Sequence, residues 1–150
     1  MAAGRLKSLW PHCAALLVAL CFLLQSGAAP AGELPIFLGR VGVGEAKPEV
    51  ERELRSLLRA ELASLEFSRV KTNEHYVLSA TLLRLDSVQS ADSARATCMI
   101  SVAILRGDST LYALIRGRAT AEEAKAPAAK SDALRAAVHS AMLRVPKALH

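Results

Sequence analysis

The sequence predicts an α+β fold, a two-layer sandwich with two helices on one face of a mostly antiparallel sheet of three to five strands. Three observations carry that reading. Leucines recur at helical spacing from Pro48 to Leu65, an alternating apolar pattern fills much of His75 to Ala119, and an alanine-rich helical stripe closes the chain. Consecutive strands flanked by amphipathic helices bury their apolar surface by laying the helices on the sheet.

The first residues stand apart from that domain. Arg5 and Lys7 supply positive charge, an apolar run extends from Cys13 to Leu24, and small residues fill most of Gln25 to Gly32. Charge, short apolar core and small-residue exit follow the order of a secretory signal peptide. The run from Cys13 to Leu24 falls short of the roughly twenty residues that carry a helix across a bilayer. Ala29-Pro30-Ala31 provides the small-x-small cleavage site, which assigns residues 1–31 to a cleaved signal and 32–150 to a single domain. Two alternatives compete with cleavage. An uncleaved anchor would need the run to continue through Gln25, Gly27 and Pro30. A lipoprotein processed at Cys21 would need a small residue where Leu20 stands, and Cys13 lies too early in the run.

Removal of the signal lowers the net charge from +5 to +3. That mild balance keeps a small domain soluble without calling for a polyanionic partner. The remaining length suits one domain with one core. Only Cys98 is left of the three cysteines, so the domain has no internal disulfide and rests on packing. Its position in an apolar alternating stretch reads as a buried, inert thiol.

Leu34 to Val43 reads as an opening strand, rich in branched and apolar residues and loosened by Gly39 and Gly42. Gly39, Gly42 and Gly44 with nearby Lys47 do not match the spacing of a phosphate-binding loop, and they read as strand and turn residues. Pro48 to Leu65 is a helix. Pro48 suits its first turn, Glu49, Glu51 and Glu53 sit at the positive end of its dipole, and Val50, Leu54, Leu57, Leu58, Leu62 and Leu65 form its apolar stripe, with Glu61 at the edge.

Phe67 to Val70 reads as a short strand before the polar turn Lys71 to Glu74. His75 to Leu85 alternates, with Tyr76, Leu78, Ala80 and Leu82 on one side and Val77, Ser79, Thr81, Leu83 and Leu85 on the other. Asp86 to Asp92 reads as a polar connection. Ser93 to Arg106 is a long strand with Cys98, Ile100, Val102 and Ile104 on one face. Gly107-Asp108-Ser109 turns it into a returning strand, Leu111 to Ala119. Ala121 to Lys130, which contains Pro127, reads as a loop or broken helical entry. Ser131 and Asp132 then cap a terminal helix striped by Leu134, Ala137, Val138, Ala141, Met142 and Val145, which Pro146 ends or kinks.

No catalytic, metal or cofactor constellation is expected. His75, His139 and His150 lack zinc-ligand spacing, and no second cysteine accompanies Cys98. No serine sits in a glycine-flanked elbow, and adjacent Glu122 and Glu123 point apart. The few rings, Phe37, Phe67, Tyr76 and Tyr112, make no stacking platform, so nucleic acid is not an expected partner. What stands out is the returning strand, where strict alternation puts Tyr112, Leu114, Arg116, Arg118 and Thr120 on one face. Tyr112, Arg116 and Arg118 are therefore the candidate contact strip for an acidic partner or anionic group, against the plainer reading of a solvated sheet face.

The arrangement resembles a class of small bacterial envelope domains. An early strand and helix, a strand of the type Tyr76 to Leu82, a central strand-turn-strand like Cys98 to Ala119 and an alanine-rich closing helix like Ala133 to Leu143 are shared. They are similar to the amino-terminal domain of the Tol-system propeller protein, the outer-membrane activators of penicillin-binding proteins and the curli-secretion lipoprotein family. This chain departs from many of those proteins in lacking the lipid-attachment cysteine. The resemblance implies an adaptor or assembly role through binding another envelope protein. The expectation is thus an exported, non-catalytic, protein-binding domain, periplasmic or secreted. Its alternative is a small-ligand binder or small enzyme with a site assembled from distant residues.

Overall fold

The computed structural model describes residues 36–45, 47–67 and 74–149. The signal segment, its two alternatives and the Ser68–Val70 part of the expected short strand lie outside those residues, and Phe67 is in coil. Strand β1 (Ile36–Gly42) leads to helix α1 (Pro48–Ser64). Strands β2 (Tyr76–Gln89), β3 (Ala94–Arg106) and β4 (Leu111–Glu123) follow, and helices α2 (Ala126–Met142) and α3 (Val145–Ala148) end the described chain. The four-stranded sheet has the order β1-β2-β3-β4. β1 runs parallel to β2, with α1 supplying the crossover that a parallel pair needs, and β2, β3 and β4 form an antiparallel meander. The α+β class holds, with a mixed sheet.

β3 forms because its residues alternate without a fault. Ala94, Ala96, Cys98, Ile100, Val102 and Ile104 are buried, while Thr97, Met99, Ser101, Ala103 and Leu105 are half-buried on the other face. Helix α1 buries Leu54, Leu58 and Leu62, and α2 buries Ala129, Ala133, Leu134, Ala137, Val138, Ala141 and Met142. The first packs against β1 and α2, the second across β3 and β4. Each fully buried aliphatic side chain contributes about 1.5–3 kcal/mol relative to exposure. The two helices are also pinned by polar contacts. Ser131 Oγ donates to Glu53 Oε1, and His139 Nδ1 lies 3.1 Å from both Glu61 carboxylate oxygens. Glu61 is thus at the stripe edge, as its spacing indicates.

Three sequence expectations are corrected. β2 does not end at Leu85 but runs to Gln89. Its register slips between Leu82 and Arg84, so Leu83 is an extra residue and Leu85, opposite buried Cys98, turns to the helix side instead of the outer side. β4 likewise continues past Ala119 to Glu123. Finally, α2 begins at Ala126, before Ser131 and Asp132, because Pro127 falls in the first turn where a missing N–H costs nothing. Ser131 therefore serves as a tie to α1, not as a cap.

Candidate interaction surface

The two main helices lie on one face of the sheet, and the opposite face carries no described helix. Its side chains are set by register. Phe37 pairs with Val77, Val77 with Leu105 and Leu105 with Leu111, which draws one apolar row across all four strands. Ser79, Ala103 and Leu114 make the next row, then Thr81, Ser101 and Arg116, then Arg84, Met99 and Arg118. Phe37, Leu111 and Leu114 are 45%, 56% and 55% exposed, which is large for side chains of that kind in contiguous rows.

The far end of this face is polar and internally satisfied. Arg84 pairs with Asp86, and Arg95 Nη2 lies 3.2 Å from Glu122 Oε2. The Glu122 carboxyl is held below its usual range by the Ser93 hydroxyl, which donates to it at 2.8 Å, and by Arg95. Arg116 and Arg118 are exposed and make no ion pair among the described residues. The face therefore grades from apolar, through two free guanidinium groups, to a paired polar end.

Of the sequence-predicted strip, the structure joins Arg116 and Arg118 and removes Tyr112. The β3–β4 register breaks between Ile104 and Leu105, with Tyr112 as the extra residue. That bulge turns its ring toward the buried side, where its centroid lies 5.3 Å from that of buried Tyr76. The Arg106 guanidinium covers it at 4.9 Å. Strict alternation fails at a bulge, so Tyr112 belongs to a packed aromatic pair. Tyr76 Oη donates to Glu74 Oε2 at 2.6 Å, and chiefly for that reason its phenol is pushed up to about 12. What sequence reasoning missed is the apolar row. Phe37 and Leu111 lie far apart in the chain, and only the pairing of four strands brings them into line.

The other candidates are placed as follows. Cys98 is a free, buried thiol. His75 stacks loosely on Phe37, centroids 6.2 Å apart, while His139 faces Glu61. No group of three or more metal-ligating side chains occurs among the described residues. Gly44 adopts φ +57° in the turn after β1, in keeping with its reading as a turn residue. An open cleft of about 410 Å³ lies where α1 and α2 begin, lined by Lys47, Val50, Leu85, Pro127 and Lys130 among others. No described helix is long and apolar enough to cross a membrane.

No protein-family model matches the chain, and no curated protein matches it either. Among solved structures, it is similar to a candidate lipoprotein from Caulobacter crescentus, at 18% identity and a TM-score of 0.48 over 73% of this chain and 86% of the other. It is also similar to a minor lipoprotein from Acinetobacter baumannii, at 12% identity and a TM-score of 0.39 over 78% and 91%. A third is a candidate neuraminyllactose-binding hemagglutinin homolog from Helicobacter pylori, at 11% identity and a TM-score of 0.43 over 77% and 82%.

Proposed function

We propose that this chain is an exported, non-catalytic domain of the cell envelope that binds another protein through the outer face of its sheet, as an adaptor or assembly factor. The observation that carries the reading is the outer face, which no described helix covers, with the row Phe37–Val77–Leu105–Leu111 and Leu114 beside Arg116 and Arg118, unpaired among the described residues. An apolar patch rimmed by one sign of charge suits a partner with an apolar centre and an acidic rim. The order of charge and apolar residues in the first thirty-one positions supports export.

The test places a photo-crosslinking residue at Leu114 and, as control, at exposed Arg52 on α1. Leu114 should give a discrete adduct in the native envelope, and Arg52 should not. Equal labelling from both positions, or none from Leu114, would refute the surface. The cleft near Lys47 and Lys130 is the place for the alternative, a small-ligand site. A metabolite that raised the melting temperature and lost its effect in Lys130→Ala would favour that reading.

A further inference from the structure

The sheet has two edges, and they differ. The β1 edge is seven residues long and interrupted by a register break between Leu38 and Val41. The β4 edge is thirteen residues long, without proline, and regular from Ala113 onward. Edge strands of that length are normally blunted against pairing with another chain.

Which backbone groups this edge offers follows from the ladder. Arg106 N–H donates to the Thr110 carbonyl at 2.9 Å, which makes that pair the hydrogen-bonded one closing the hairpin. Counting on through the bulge, the N–H and C=O groups of Leu114, Arg116, Arg118, Thr120 and Glu122 point away from β3. An independent contact agrees. Arg144 Nη1, from outside the ladder, donates to the Arg116 carbonyl at 3.3 Å. Among the described residues it is the one side chain that bonds to this edge.

The side chains of the same residues carry a charge order, with Arg116 and Arg118 toward the start and Glu122 toward the end. An antiparallel copy of the strand reverses that order. Centred on Ala119, the pairing sets Arg116 opposite Glu122 of the second copy. Centred on Thr120, it sets Arg118 there. Centres at Gly117 or Arg118 would put arginine opposite arginine. Two-fold symmetry makes every pair off the axis occur twice.

We propose that a second copy of this chain adds antiparallel to the β4 edge, joining two four-stranded sheets into one, in a register fixed by arginine opposite Glu122. Arg144 is the gatekeeper that must leave the Arg116 carbonyl for the strands to meet. The dimer would present the two outer faces side by side. It stands independently of whether those faces bind a further protein.

Sedimentation equilibrium on the processed chain, residues 32–150, tests this, with circular dichroism confirming that each variant is folded. A dimer should form and weaken in high salt. Glu122→Arg should raise its Kd about tenfold, because two attractive cross-strand pairs become repulsive. Glu122→Gln, which adds no repulsion, should raise it less. Adding Arg116→Glu to Glu122→Arg should restore the dimer if the register centres on Ala119, and adding Arg118→Glu should do so if it centres on Thr120. Arg144→Ala should tighten it. A chain that stays monomeric at every concentration overturns the proposal. So does a dimer indifferent to Glu122→Arg but lost in Leu114→Asp, which would pair through the face, or an edge occupied by a peptide of another protein.

Discussion

Gly117 sets how closely the second helix can lie on the sheet. A Cβ at that position would run into the Ala137 carbonyl oxygen and sit 3.0 Å from the Ala141 Cβ. Helix α2 meets it with a stripe of buried alanines, at 129, 133, 137 and 141. Gly117→Ala should therefore cost about 1–3 kcal/mol through overpacking, seen as a lower melting temperature in calorimetry. An unchanged melting temperature would mean the helix lifts away freely. At Ser109, φ is +68°, in a turn closed by its own N–H to the Arg106 carbonyl at 2.8 Å. A side chain in that region costs roughly 1 kcal/mol, so Ser109→Gly should stabilise the domain by up to about that much in urea titrations. Burial pushes the Cys98 thiol up to about 12. An unfolded thiol loses its proton at about 8.5, so the unfolded state holds fewer protons between those values and stability falls as pH rises through that window. Tyr76, raised likewise, adds the same sign above the ordinary tyrosine range. Native protein should resist alkylation at Cys98, and Cys98→Ala should make the alkaline loss of denaturant midpoint shallower.

Elements were legible in proportion to how regular they are. β3 alternates from end to end and α1 repeats its leucines every three or four residues, so both could be read from spacing alone. The tail of β2 could not, because one extra residue at Leu83 exchanges the faces and the polar residues from Asp86 onward look like a loop. The start of α2 was hidden by Pro127, which breaks a helix interior but suits a first turn. Ile104 tests the regular part. It is fully buried and paired with Leu78 and Ala113. Ile104→Asp should cost about 3 kcal/mol or more, since a charge is buried there without a partner. A melting curve that did not move would show this face of β3 to be open.

For the molecule as a whole, the helices pack on one face of the sheet, and the proposed function places recognition on the other. The arginine pair of the candidate site was legible, since strict alternation holds from Ala113 onward. Tyr112 was misplaced because it is itself the extra residue of the bulge, and the apolar row needed contacts spanning most of the domain. The separation of faces makes a clear prediction. Reversing Arg116 and Arg118 to Glu should change stability by no more than about 0.5 kcal/mol, as surface substitutions do. The same double variant should lose most of the crosslinking yield from Leu114. Retention of the same adducts at the same yield would reduce the arginines to solvated side chains.

The parallel strand at the sheet's other margin should also decide where the domain opens first. β2, β3 and β4 are consecutive and antiparallel, each tied to the next by a long ladder, whereas β1 is held by seven residues and a broken register reached across a helix. β1 and α1, which touch each other, should therefore detach together in rare excursions that leave the meander and α2 intact. Deuterium exchange would reveal two tiers: amides of Leu38 and Val41 should exchange at a lower opening free energy than those of Ile100 and Val102. A single shared opening energy would mean that the sheet melts as one unit. With two tiers, each excursion frees the long flank of β2, and the protein's vulnerability to strand invasion and proteolysis is set by this first margin, well before global unfolding.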